Sequence, residues 1–217
     1  RFLGTELWVD CGDPHMRVTF LTPELVRIRI VPGGDFEEEH SWDVPVPDES
    51  FQGVAVELQQ TQHALFLNSA AFTVRIDKDT ALTELLTTDG KSFFTDATSP
   101  VWEENRYWFS KRIEEGEKYY GFGERGGRLE KQGQKMTNWN TDPSSPHTAF
   151  VDPMYMSVPV YLVLRENFAY GVYLNSTWES TFDLTQPGQM RFESGGEELD
   201  VYIAYGPQPL QVIERLS

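Results

Sequence analysis

Residues 119–162 read YYGFGERGGRLEKQGQKMTNWNTDPSSPHTAFVDPMYMSVPVYL. A glycine-rich turn leads into a polar, aromatic loop, and the loop runs straight into an apolar segment. That segment, residues 155–164, predicts a long strand covered on both faces. The loop carries Trp139, Asn140, Thr141 and Asp142 side by side. Together they offer a flat apolar face, an amide, a hydroxyl and a carboxylate. Those are the groups that hold a polyhydroxylated ring.

Outward from this stretch the chain reads almost entirely as β. Arg17-Val18-Thr19-Phe20 and Leu25-Val26-Arg27-Ile28-Arg29-Ile30 are alternating runs around a Thr22-Pro23-Glu24 turn. Val26, Ile28 and Ile30 share one face and Arg27 and Arg29 the other, so the strand is expected to be half-buried. Residues 54–58, 64–67, 72–76 and 81–86 continue the pattern, with Asp77-Lys78-Asp79 and Thr88-Asp89-Gly90 as turns. Toward the C-terminus, 168–174, 181–184, 190–192 and 199–205 read the same way. More than ten short strands with almost no helical periodicity predict an all-β fold, a sandwich of antiparallel sheets.

The single helix expected is the last element. Gly206-Pro207-Gln208-Pro209 starts it, and Leu210, Ile213 and Leu216 recur at helical spacing with Val212 alongside. A helix so near the chain end has little to pack on. Residues 1–205 are therefore taken as a sandwich domain and 206–217 as the start of a helical connection.

Length and composition bound the rest. A chain of 217 residues is one large or two small domains and can bury a core without staples. The net charge of −16 and the lack of any Lys/Arg cluster exclude a nucleic-acid binder and disfavour anionic membranes. No stretch is long and apolar enough to span a bilayer. The acidic runs 35–39 and 193–200 read as solvated loops rather than calcium loops, since neither has the alternating ligand spacing of an EF-hand. Cys11 is the sole cysteine, read as a partly buried structural thiol. That fits a reducing compartment, and a cytoplasmic location is the expectation. The first residues carry no Met and no signal-peptide layout, and the sequon Asn175-Ser176-Thr177 is discounted as a chance triplet.

Several chemistries lack their parts. Gly121-Phe122-Gly123-Glu124-Arg125-Gly126 satisfies G-x-G-x-x-G, but the polar, glycine-bearing residues after it predict no helix. A dinucleotide fingerprint needs that helix. The alternative is a turn that requires positive φ or close backbone approach. His15, His40, His63 and His147 sit apart, with no metal partner at i+3 or i+4, so neither a metal site nor a cofactor is expected. No serine sits in a nucleophile elbow and Cys11 has no base nearby.

Carboxylates remain. A glycosidase needs two, flanking the scissile bond. Glu124, Asp142 and Asp152 all lie in the opening stretch, and spacing alone does not exclude a pair among them. Glu124 with Arg125 reads as a local ion pair at the turn. Asp152 before Pro153 reads as a turn acceptor. Asp142 also precedes a proline, but its aromatic and amide neighbours raise a sugar-contact reading.

The motifs taken in order resemble the N-terminal domain of family 31 glycoside hydrolases, the α-glucosidase family. Tyr120-Gly121-Phe122-Gly123-Glu124 is similar to its Tyr-Gly-x-Gly-Glu segment, and Asn140-Thr141-Asp142 to its Asn-x-Asp loop. Residues 152–159, DPMYMSVP, resemble its Asp-Pro-Leu-Tyr-x-Ser-Ile-Pro segment. Ala169-Tyr170-Gly171-Val172-Tyr173, Asn175-Ser176 and residues 199–215 follow in the expected order. The resemblance spans roughly residues 17–215. It implies a galactose-mutarotase-like β-sandwich packed on a catalytic (β/α)8 barrel of the same parent chain. In that family the catalytic aspartates lie on the barrel, the nucleophile in a Trp-x-Asp-Met-Asn-Glu motif. This chain contains no Met-Asn pair. The resemblance therefore implies no catalytic residue here and an inactive isolated chain. It gives Asp142 the role of binding the non-reducing sugar of an α-linked glucoside or oligosaccharide. Asn140 and Thr141 inherit a weaker part, and Trp139 stands as a rim aromatic.

Two other readings stay open at this stage: a free-standing, lectin-like carbohydrate-binding sandwich, and an aldose epimerase, for which His147 is a poor fit. A domain built against a barrel is also expected to expose apolar side chains when alone. Leu210, Ile213, Leu216 and the aromatics flanking the 119–123 turn are the candidates.

Overall fold

A computed structural model describes the whole chain except Cys11, Asp13, Glu38, Glu39, His40, Trp42, Gln52 and Ser145. The expectations for Cys11 and His40 thus lie outside the described residues. Among the described residues the chain forms three antiparallel sheets and one α-helix, which is the expected sandwich.

The largest sheet has eight strands. In spatial order they are Phe2–Leu3, Glu6–Asp10, His15–Thr22, Leu25–Val31, Leu199–Gly206, Ala169–Leu174, Val160–Leu164 and Lys118–Gly121. A five-stranded sheet follows the order Asp96–Glu103, Arg106–Arg112, Gln189–Gly195, Ser180–Asp183, Lys135–Asn138. The third, also five-stranded, runs from Glu57–Gln60 through Ala64–Asn68, Phe72–Asp77 and Thr83–Thr87 to Ser92–Phe93. One continuous core joins all three. Val26, Ile28 and Ile30 of the large sheet, Phe72 and Val74 of the third sheet and Phe182 and Phe192 of the second belong to one buried cluster. Period-two alternation places every second side chain in that core.

The opposite face of the large sheet is covered as well. At one end the helix Pro209–Leu216 lies across it, with Val212 fully buried against Ala169 and Ala204. Gly171 makes that approach possible, because a Cβ there would sit 2.6 Å from Val212 and 2.7 Å from Leu216. The helix therefore has a seat of its own, against the expectation that it has little to pack on. Its outer side stays open, Leu210 being 78% and Ile213 50% exposed, while Leu216 is partly buried. The aromatics of the turn differ from expectation: Tyr119 and Phe122 are core residues, Phe122 stacked on Tyr161 at 4.9 Å.

The rest of that face carries charge. Arg27 and Arg29 are buried, so the strand Leu25–Val31 is buried on both sides rather than half-buried. Arg27 grips Asp200 with two hydrogen bonds of 2.9 and 2.7 Å and Asp48 with a third of 3.0 Å. Arg29 pairs with Glu198 and donates to the Glu37 carbonyl at 2.8 Å. Glu198 and Asp200 belong to a run expected to be solvated. They are instead the counter-charges of two buried guanidiniums, which is what burial of a cation demands. Asn175 of the sequon also joins this cluster, its side-chain amide donating to Asp200 at 2.7 Å.

Two strand expectations move. Residues 155–159 are not strand: only Val160–Leu164 pairs, and Tyr155 and Met156 are exposed. Residues 54–56 lie outside the ladder as well, the strand starting at Glu57. The hairpin of Asp96–Glu103 and Arg106–Arg112 appears where no strand was expected.

Candidate functional site: the loop from Trp139 to Val151

The loop springs from the end of the strand Lys135–Asn138. Its root is a compact set of backbone contacts made possible by glycine. Gly121 has φ +102°, and a Cβ there would lie 2.8 Å from the Val160 carbonyl oxygen. Gly123 has φ +81°, and its Cβ would lie 2.6 Å from the Val158 nitrogen. Both conditions proposed for the G-x-G-x-x-G turn, positive φ and close approach, hold here. Turns and bends follow it, with no helix through residue 134.

Loop and returning chain then lie side by side. The Ser157 N–H donates to Asn140 Oδ1 at 2.7 Å, and the Thr141 N–H to the Met154 carbonyl at 3.2 Å. Thr141 Oγ1 also donates to the Pro153 carbonyl, at 3.3 Å. Asn140 and Thr141 are thus partly committed to shaping the loop. Trp139 is 51% exposed and Asp142 is exposed. Among the described residues Asp142 enters no salt bridge. It interacts with Tyr155: desolvation first, and then the charge of the Asp142 carboxylate and a hydrogen bond to it, push that hydroxyl above its usual pKa. The Tyr155 hydroxyl also meets His147 Nε2 at 2.9 Å, and His147 lies 3.2 Å from the Pro143 carbonyl. His147 thus sits at the exposed loop rather than in a groove.

The other two carboxylates have different roles from those expected. Arg125 pairs with Asp152 at 2.8 Å, not with Glu124. Asp152 is accordingly an ion-pair partner, and its second oxygen accepts the Thr137 N–H at 2.7 Å. Burial pulls the Arg125 guanidinium below its usual pKa, and Asp152 opposes that shift.

Beside the loop lies a cleft of about 350 Å³, lined by Trp139, Asn140, Asn138, Ser157 and Trp178 among others. Sequence reasoning missed Trp178. The pairing of Asn138 with Ser180 brings it to the same end of the sheet as Trp139. It is 60% exposed and lies over Gly195 and Gly196, where a Cβ would come within 3.0 Å of the indole. The signal available was a tryptophan in the polar turn Asn175-Ser176-Thr177-Trp178. Two exposed indoles and the polar side chains of Asn140 and Ser157 suit a hydroxylated ring, whereas Asn138 is buried and already bonded to Arg125 and Ser180. Among the described residues no group of three His, Cys, Asp or Glu side chains could hold a metal ion.

A family model described as the glycosyl hydrolase 31 N-terminal galactose mutarotase-like domain matches residues 15–183. The chain belongs to that family. Among the relatives of this glycosyl hydrolase 31 N-terminal domain is alpha-glucosidase 2 of Bacillus thermoamyloliquefaciens, 30% identical over 210 residues. The match covers 95% of this chain and 26% of that relative. The alpha-xylosidase XylQ of Lactiplantibacillus pentosus is 29% identical over 103 residues, covering 46% of this chain and 13% of the relative. Among solved structures, a GH31 dextranase of Flavobacterium johnsoniae complexed with isomaltotriose superposes with a TM-score of 0.87 at 18% identity. That likeness covers 99% of this chain and 26% of the dextranase, and it shows the fold. The domain thus spans about a quarter of the length of the alpha-glucosidase and the dextranase.

Proposed function

We propose that this domain serves a retaining α-glycosidase by packing on the catalytic barrel of the same parent chain and lending it the 139–142 loop. Asp142 binds a hydroxyl of the non-reducing sugar of an α-linked glucoside or oligosaccharide. Asn140 and Thr141 hold the loop in shape, and Trp139 forms the rim. The observation that carries the reading is the state of Asp142. It is exposed, forms no salt bridge among the described residues, and stands on a loop whose root is tightly fixed. The exposed side of the terminal helix, Leu210 and Ile213, supports packing against a further part of the protein.

The test is Asp142→Ala in the full-length parent enzyme. A charge-assisted hydrogen bond to a sugar is worth about 1.5–3 kcal/mol. The kcat/KM for aryl α-glucosides should fall roughly ten- to hundredfold. Unchanged kinetics on both α-glucosides and α-xylosides would remove Asp142 from the site. The 217-residue chain alone should show no inhibitor-sensitive turnover, since the family's barrel motif is absent from it.

A further inference from the structure

Arg125 sits where both ends of the functional loop meet. One guanidinium nitrogen bonds Asp152 Oδ1 at 2.8 Å and the other bonds Asn138 Oδ1 at 2.5 Å. Asn138 immediately precedes Trp139, and Asp152 immediately follows Val151. One planar cation therefore closes the neck of the loop. Each partner is fixed from behind: Asn138 Nδ2 donates to Ser180 Oγ at 3.2 Å, and Asp152 holds the Thr137 N–H. The Arg125 side chain is only 4% exposed, so solvent does not compete for these bonds.

The segment that carries Arg125 is itself tied down. Lys131 is buried, and its ammonium donates to the Gly126 and Arg128 carbonyls at 3.0 and 2.6 Å. The far limb of the loop rests on bare backbone. A Cβ on Gly126 would lie 2.9 Å from the Thr148 oxygen and 3.2 Å from Ala149 Cα. Neck and far limb are thus both referenced to residues 125–126.

We propose that Arg125 is a positioning residue for substrate binding: it sets where Asp142 stands by clamping Asn138 to Asp152. This rests on the sugar-contact role of Asp142. A guanidinium is needed, because its fork reaches two separate acceptors at fixed angles and an ammonium does not. Arg125 touches no substrate. Its effect passes through the loop.

The experiment is a double-mutant cycle in the full-length parent enzyme with aryl α-glucoside and aryl α-xyloside, using Arg125→Met, Asp142→Ala and the pair. A loop displaced by an ångström costs up to about 100-fold, so Arg125→Met should lower kcat/KM about 10- to 100-fold, chiefly through KM. The pair should be no worse than Asp142→Ala alone, because the two act on one contact. Arg125→Lys should recover only part of the loss. If Arg125→Met fails to fold, Asp152→Asn is put through the same cycle with the same expectation. Losses that multiply, or an Arg125 variant with wild-type KM beside an impaired Asp142→Ala, overturn the positioning role. An Asp142→Ala enzyme with wild-type kinetics overturns the sugar-contact role instead, and the positioning role with it.

Discussion

Two clusters of polar and charged side chains sit on this sandwich, and they are built on opposite plans. On the outer face of the large sheet, Arg27 and Arg29 are buried and gripped by Asp48, Asp200 and Glu198. In the 139–142 loop, Trp139 and Asp142 stand in the open. Both clusters mix aromatic, amide and carboxylate groups, and Arg27 even stacks over Tyr202 at 5.0 Å. What separates them is whether the charges are already answered within the domain. A carboxylate bridged by a guanidinium has spent its acceptors on the fold. Asp142, answered only by the exposed Tyr155 hydroxyl, keeps acceptors for a partner. The first cluster holds the covering segment around Asp48 to the sheet, and the second has capacity left for a ligand.

The largest expected effect tests the closed cluster. Arg27→Met leaves Asp200 buried without its bidentate partner, and such a loss costs about 3–5 kcal/mol. Urea melts should show that loss, whereas Asp142→Ala should stay within about 0.5 kcal/mol of wild type, as exposed substitutions do. If Asp142→Ala proves as costly as Arg27→Met, the distinction between the clusters fails. A smaller effect tests the root of the open cluster. Gly123→Ala forces a side chain into positive φ and against the Val158 nitrogen. The conformational part alone is about 1–2 kcal/mol. An unaltered midpoint would show that the root is not rigid, and the loop's fixed geometry would lose its support.

The same contrast explains what the sequence revealed. Alternation of Val26, Ile28 and Ile30 exposed the core face of its strand, because that face answers to a local period of two. The other face answers to residues 48, 198 and 200, brought in from far along the chain, and no local pattern announces them. Glu198 and Asp200 therefore read as solvated. Residues 155–159 read as strand because they are mostly apolar, yet they lie against the glycine turn and the loop, the Glu124 N–H donating to the Met156 carbonyl and the Ser157 N–H to Asn140 Oδ1, and Tyr155 and Met156 are exposed. The Trp102 to Trp108 hairpin went unseen, since charged residues sit between its aromatics. For the proposed site, residues 139–142 could be nominated from the sequence because their chemistry is contiguous. Trp178 and Arg125 were not, since each gains its place only through a cross-strand pairing or a distant carboxylate.

A third carboxylate sharpens the comparison, because it follows neither plan. Glu117 is 3% exposed, yet its hydrogen-bond partners are neutral. Its oxygens accept from the Tyr119 hydroxyl at 2.7 Å, the Tyr170 hydroxyl at 3.0 Å and the Glu114 N–H at 3.0 Å. Burial raises its pKa, and those three donors, with the more distant charge of Arg165, only partly oppose the rise. A carboxyl with a raised folded-state pKa binds its proton more tightly in the folded state than in the unfolded chain. Its contribution to stability is therefore fully present below the unfolded value near 4.5 and is lost as pH rises through the folded one. Glu117→Gln keeps an amide of the same shape that cannot ionise. Subtracting its stability from that of wild type cancels the titration of the other carboxylates to first order. The difference should move against wild type as pH climbs from about 4.5 through the folded-state value, and flatten below 4.5. Urea melts of both proteins across this span read it directly. A difference that is flat, or that favours wild type more at high pH, would mean the tyrosine hydroxyls stabilise the carboxylate as well as a guanidinium does. Glu117 would then belong with Asp200, and burial without a paired cation would no longer distinguish it.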